Sequence, residues 1–592
     1  MTRHALLKSL LLLLLVTCSF NSDAIGQQVV SEGNVTINEQ PAPADFGPQA
    51  FVSEIQIGGP LLFFNGSASG RLTVSGGGFL EANFIGIGSD QATGVFEARG
   101  IGTSVTSQNI GLFSGSFSVT EGASVDGLAL STSFNSPFAP TINVSGLGSQ
   151  LTLDSAFLGR GTLNISDAAT FSLNSLDLGN NEFPAGVARL NLTNGGQAVI
   201  GDIDFGLDSP ARNEIVIDDS SFLQVFSFFP IQGNNTLNLE GGLLVANQDF
   251  VISDSGELRG YGDVIGQIQL EGSPLDDQRL TVTADQTLRT SEIINFTGQI
   301  TNFGTLDAGN NVIQNAFNGR YLGENSTIRA SILTNEGTFN LTQGRNFVEA
   351  NLENFGDFNI SGGASVIFTD EVFNNGVVHT EDGSTSTLLG RLCGSGVFEG
   401  EGDVTILGEF APGNSPGLVS FESDLAFGAG ATTEIELAGT LRSTAMQTSA
   451  LDRFDAFDVG GTLTLGGELE IALLDGFDIE LGQEFVIADV DDALVGQFNG
   501  LDEGAMVGNF GGTDLFISYV AGDGNDVALF TAAASEIFLG DANQDGVVDF
   551  SDIPAFIAIL LAGDFLEEAD VNQDDVVDFA DIPPFIEILI GG

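Results

Sequence analysis

The sequence predicts an all-β fold, a parallel β-helix (solenoid) with a β-rich end segment, followed by a small α-helical tail. Three observations carry that expectation. From about Phe51 to Leu407, short apolar runs alternate with Gly, Asn, Ser and Asp turns. Their starts recur roughly every 20 to 25 residues, the length of one solenoid coil. Almost no helical periodicity occurs before residue 540.

The coils read as strands in period two, bounded by turns: RLTVSGGGF from Arg71, SFSVTEGASV from Ser116, TINVSGLGSQLTL from Thr141, TLNISDAATFSL from Thr162 and RLNLTNGGQAVI from Arg189. Each coil can bury its apolar face only by stacking on the next. A string of antiparallel sandwiches would need longer and less regular spacing. A sub-repeat marks one corner: Asn302-Phe303-Gly304, Asn335-Glu336-Gly337, Asn354-Phe355-Gly356 and Asn374-Asn375-Gly376. Asn and Gly suit it because both tolerate positive φ, and stacked Asn side chains can hydrogen-bond from coil to coil. The 48 phenylalanines and absent tryptophan fit a stacked interior better than a sugar-binding platform.

The N-terminus, MTRHALLKSLLLLLLVTCSFNSDAIGQQ, joins Arg3 and Lys8 to an apolar run and small residues at Ala24 and Gly26, a secretory signal over residues 1–26. Cleavage is expected after Gly26, with Ala24 as the alternative. Lipidation at Cys18 is disfavoured by Thr17 before it. The expected location is therefore secreted or cell-surface. Without the signal, Cys393 stands alone and no intrachain disulfide can form; it reads as a small buried apolar residue. No later run approaches the ~20 apolar residues of a membrane span.

A net charge of −63 disfavours nucleic acid and anionic lipid as partners, and admits an anionic polysaccharide only across bridging calcium. Lys8 is the only lysine, so the mature chain has no lysine chemistry. His379 is the only histidine beyond the signal and would have to carry any His-based triad alone. Carboxylates are too abundant for any pair to stand out, so no catalytic residue is named.

Residues 27–410 form the expected solenoid and 411–532 its end segment. There the blocks Pro412-Gly413-Asn414-Ser415-Pro416-Gly417, GGTLTLGG and GDGNDV resemble the closing segment of autotransporter-associated β-strand repeat proteins. With the coils, the resemblance covers most of residues 56 to 531. It implies a right-handed β-helix with a β-rich end piece and says almost nothing of activity. No translocating barrel follows, so self-transport is not expected. GDGNDV also looks like one β-roll calcium repeat, but a lone copy reads as an ordinary turn.

Residues 533–592 hold the only pattern with both ligand type and ligand spacing. Asp541, Asn543, Asp545, Val547 (through its carbonyl), Asp549 and Asp552 occupy positions 1, 3, 5, 7, 9 and 12 of a calcium loop, with Gly546 at the turn. Asp570, Asn572, Asp574, Val576, Asp578 and Asp581 repeat it, with Asp575 where Gly belongs. A positive φ costs a non-Gly residue on the order of 1 kcal/mol, so the second ion should bind more weakly. Asp552 or Ser551 can cap the helix that follows, and Pro554 and Pro583 suit a first turn. Ile553, Phe556, Ile557 and Leu560, mirrored by Ile582, Phe585, Ile586 and Leu589, should face each other over a small core. No convincing helix enters the first loop, where TAAASEIFLG precedes it.

The tail resembles a type I dockerin, which implies folding around two calcium ions and plugging into a cohesin-like partner. Where dockerins often carry Ser-Thr, this chain has Phe550-Ser551 and Phe579-Ala580, and its helices lack Lys and Arg. The sequence thus favours a secreted, non-catalytic β-helical surface or matrix protein attached through its tail to a cohesin-like or other extracellular protein. Its rival is a polysaccharide-binding protein, or a hydrolase or lyase, recruited by the same tail; a calcium-regulated adhesin is a third reading.

Overall fold

The computed structural model describes residues 28–30, 33–38, 49–57, 70–88, 93–132, 139–179, 187–205, 212–272, 278–444, 452–474, 476–531, 538–563, 565–574 and 576–591, with side chains from residue 71 onward. The expected signal segment, Cys18 and Asp575 lie outside them.

The chain is mostly β and winds into a solenoid of about 16 turns, with two short helices near its C-terminus. Successive coils pair in parallel register: Ile142 faces Leu163, which faces Leu190, which faces Ile215. In the first half each coil carries a short and a long strand, such as Gly161–Ser166 and Thr170–Leu178. The long strand is bent. Along Gln150–Leu158 the alternation of buried and exposed side chains breaks at Asp154 and Ser155, both exposed, and the pairing skips Asp154. That change of phase turns the strand from one face of the solenoid to the next while keeping its apolar residues inside. Further along, the corner sharpens and three short strands make each coil, as in Asp357–Ser361, Ser365–Phe368 and Val372–Asn374.

The interior is one continuous apolar column. Aromatic rings stack along it from coil to coil: Tyr321 on Phe339 at 4.0 Å, Phe339 on Phe358 at 4.7 Å, and Phe205, Phe229 and Phe250 in sequence. In-register stacking places each ring over the last, and such a pair adds about 0.5–1.5 kcal/mol to what its buried area contributes.

The Asn corner forms with its side chains hydrogen-bonded from coil to coil as expected, but its members and the reason for its glycines differ. Asn315 donates to Asn335 at 2.6 Å, Asn335 to Asn354 at 2.7 Å and Asn354 to Asn374 at 2.9 Å, all fully buried. Asn315, outside the Asn-x-Gly pattern, starts the ladder. Asn302 belongs to another column, where it pairs with Gly323 and donates to the Tyr321 hydroxyl at 2.8 Å. Nor is positive φ the reason for glycine, since Gly337, Gly356 and Gly376 do not adopt it. A Cβ on Gly356 would stand 2.3 Å from the Gly337 carbonyl oxygen, and one on Gly376 2.3 Å from that of Gly356. Close approach of backbones, coil on coil, excludes a side chain there.

Parallel stacking continues past residue 410 through Leu418–Phe421 and Ala456–Val459 to Glu484–Val490. There Asp526–Thr531 joins antiparallel, with Thr513–Ala521 and Met506–Phe510 beyond it. GDGNDV is the hairpin turn between two of these strands. Its Asn525 donates to the Val490 carbonyl, and its Asp526 accepts from the Val490 amide.

Candidate metal centre

The two loops of the tail curl in the same way because the same residues recur at the same spacing. In the first, the Asp541 carboxylate accepts from the amides of Asp545 at 3.1 Å and Gly546 at 2.8 Å. Asp552, twelve positions into the loop, reaches back to the amides of Asn543 at 3.0 Å and Asp549 at 2.8 Å. Asp545 accepts from the Val547 amide, and Asp549 from that of Ser551. The second loop repeats these contacts: Asp570 with Asp574, Asp581 with Asn572 and Asp578, Asp574 with Val576, and Asp578 with Ala580. Gln544, Gly546 and Gln573 take the positive φ that tightens the curl. Asp549 is held below its usual carboxylate range by the Ser551 hydroxyl and amide.

Each loop opens into a ten-residue helix, Ile553–Ala562 and Ile582–Gly591, with proline in the first turn of both. Asp552 does not cap its helix through its side chain, because both of its oxygens are committed to loop amides. The helices meet through Phe556 and Phe585, stacked at 4.0 Å over Ala542, Ala569, Val571 and Val577. Ile553, Leu560, Ile582 and Leu589 pack against this core as expected. Ile557 and Ile586 do not; they are about half exposed, and Ile559 and Ile588 pack in their stead. The covered face thus keeps three of the four expected positions in each helix and is turned by part of a position toward Ile559 and Ile588. A 3-10 turn, Glu567–Ala569, leads into the second loop; before the first, residues 532–537 of TAAASEIFLG lie outside the described residues.

Asp541 and Asp570 are 4% exposed, Asp552 and Asp581 0%. Residues 533–592 contain no Lys, Arg or His, so these buried carboxylates have no side-chain cation in the tail. Uncompensated buried charge costs several kcal/mol per ion, roughly, even after relaxation. The donor set, four carboxylates, an amide oxygen and a backbone carbonyl in each loop, is all hard oxygen and fits calcium rather than a soft metal. Among the described residues no three His, Cys, Asp or Glu side chains already converge as a metal cage. The loop carboxylates lie instead against amides of their own loop.

Elsewhere the histidine, the cysteine and the arginines lie along the coils. His379 lies half-buried on an outer face, in register between Asn359 and Glu399. Cys393 is half-buried rather than buried; its Sγ donates to Glu371 at 3.4 Å, and burial together with that carboxylate pushes the thiol up to about 12. Arginines and carboxylates gather in columns: Asp263, Arg289, Asp307, Arg329 and Glu349 occupy one register position in five successive coils, bridged at 3.7, 3.7, 3.5 and 2.7 Å.

The sequence reading missed Asp455, 1% exposed, which accepts from the amides of Gly417 at 2.6 Å and Glu436 at 2.9 Å; burial raises its pKa to about 8. Its signal was an Asp inside the apolar run Phe454-Asp455-Ala456-Phe457. Among the described residues no helix is long and apolar enough to cross a membrane. No protein-family model matches the chain, and no curated protein matches it.

Proposed function

We propose that this is a secreted or cell-surface protein whose solenoid is a non-catalytic scaffold and whose tail is a calcium-dependent attachment module for another extracellular protein. The observation that carries this reading is the recurrence of buried carboxylates at one spacing in two matching loops of a tail without Lys, Arg or His. Asp541, Asn543, Asp545, Val547, Asp549 and Asp552 would hold one calcium ion, and Asp570, Asn572, Asp574, Val576, Asp578 and Asp581 a second. Calcium supplies the positive charge that the tail lacks. The chain's own part is to set the carboxylates at a spacing that lets one loop surround one ion, and to join the loops through Phe556 and Phe585.

Attachment is supported by what the tail leaves outside. Phe550 and Phe579 are 68% and 73% exposed, and Leu561 and Ile590 are 75% and 73% exposed. Four exposed large apolar side chains on so small a unit suit a protein partner. A scaffold rather than an enzyme is supported by the Arg–carboxylate columns, whose charges are spent on one another. Calorimetric titration of the full chain with calcium tests the assignment. Two ions are expected to bind, and Asp541→Ala with Asp570→Ala should abolish the heat; an unchanged titration would refute the ligand set.

A further inference from the structure

We infer that the strand Glu468–Leu473, at the end of the solenoid, is a docking edge for an extended segment of a partner protein that alternates Arg or Lys with apolar residues. Glu468–Leu473 lies parallel to Thr432–Leu437, with Thr433 facing Leu469, Ile435 facing Ile471 and Leu437 facing Leu473. Among the described residues no strand pairs with its other edge. The amides of Glu468 and Leu474 point back to the Ala431 and Leu437 carbonyls. The strand alternation then turns the amides and carbonyls of Leu469, Ile471 and Leu473 to the open side.

Side-chain burial shows the missing layer independently. Ile435 and Leu437 are fully buried, whereas Ile471 and Leu473, at the same register positions one coil further on, are only half-buried. One more strand with apolar residues at matching positions would cover them as the next coil does elsewhere.

Charge decides the occupant. The outward side chains form an acidic face of Glu409, Glu434, Glu436, Glu468 and Glu470, in which Glu434 stands in register with Glu470. At its far end Arg391 bridges Glu409 at 2.8 Å and Glu434 at 3.6 Å. Glu434 is nonetheless raised, by burial first and then by Glu409. Among the described residues no arginine bridges Glu468 or Glu470 as Arg391 bridges Glu409. A cation at each outward position of an added strand would serve them as Arg391 serves Glu409. A second copy of this chain would lay these glutamates against their duplicates, which is repulsive.

The test uses the full chain and three labelled nine-residue peptides, one alternating Arg and Val, one alternating Glu and Val, and one with the Arg and Val residues shuffled, read by fluorescence anisotropy. Saturable binding of the alternating Arg peptide alone is expected. Glu468→Gln with Glu470→Gln, both at exposed positions, should weaken it on the order of tenfold or more. Ile471→Pro, which removes an open-side amide, should abolish it. Absence of saturable binding, equal binding of the shuffled peptide, or indifference to the glutamine variant would overturn the inference. So would a concentration-dependent dimer in sedimentation that Ile471→Pro dissolves, because a second copy would then be the occupant.

Discussion

Asn354 in the solenoid and Asp552 in the tail are equally buried, each at 0% exposure, and each meets its partners through two oxygens or an amide at hydrogen-bond distance. Yet they leave their surroundings in opposite conditions. An amide both donates and accepts, so Asn335, Asn354 and Asn374 each accept from the rung before, and only the Asn315 oxygen, where the ladder starts, is left without a partner. A carboxylate only accepts, and carries a charge that backbone amides do not neutralise. The coils carry their own pairing, while the function proposed above has the tail take its compensating charge from a cation outside. On that proposal, a chain of net charge −63 divides into a self-sufficient body and a conditional appendage.

The contrast can be broken most severely from the solenoid side. Phe339→Ala empties the place between Tyr321 and Phe358, and should destabilise the neighbouring coils by about 3–5 kcal/mol. Hydrogen exchange should quicken in Arg320–Gly323 and Asp357–Ser361 and stay unchanged in the tail, since stacked coils couple to nearest neighbours. Asn354→Ala removes a middle rung, leaving Asn335 to donate only to the Asp357 carbonyl and Asn374 to accept only from the Gly376 amide. A cost of about 1–3 kcal/mol is expected by the same readout, confined to the coils on either side.

Asp455 sharpens the comparison, as a buried carboxylate that belongs to the solenoid. Its pKa rises from an ordinary 3.8 to about 8 on folding, so between those values the folded chain holds a proton that the unfolded chain has shed. Its contribution is therefore largest below pH 3.8 and lost as pH rises toward 8. The stability gap between the parent and Asp455→Asn should widen as pH falls through that window; thermal melts at pH 8 and pH 5 check it, and a gap that closes on acidification contradicts it. The smallest effect belongs to Arg329→Gln. Arg329 is itself about half exposed above half-buried Asp307 and Glu349, so the loss should stay near or under about 1 kcal/mol and shrink further in high salt.

Much of this was legible in the sequence because stacking imposes a period on it. The runs from Arg71, Ser116, Thr141, Thr162 and Arg189 all begin at or beside coil strands that pair one on the next. What was not legible depends on contacts between distant residues. Gly356 reads as a positive-φ turn until the Gly337 carbonyl is seen beside it. Asn302 and Asn335 share a motif but not a column, because the strand register decides which side chains meet. In the tail, ligand spacing is local and the curl of both loops follows it. The helix face is not local: Ile557 and Ile559 are equally apolar, and only the stacking of Phe556 on Phe585 selects which of them is covered. Phe550 and Phe579, read first as departures from a dockerin pattern, are the most exposed aromatic residues described in the tail.

The most direct test of the division between body and appendage is hydrogen exchange across the full chain, with calcium and then with chelator. Slowed exchange with calcium in residues 538–591, beside unchanged exchange in the coils from 299 to 406, is the predicted result. Equal exchange of the tail in both conditions would contradict the account.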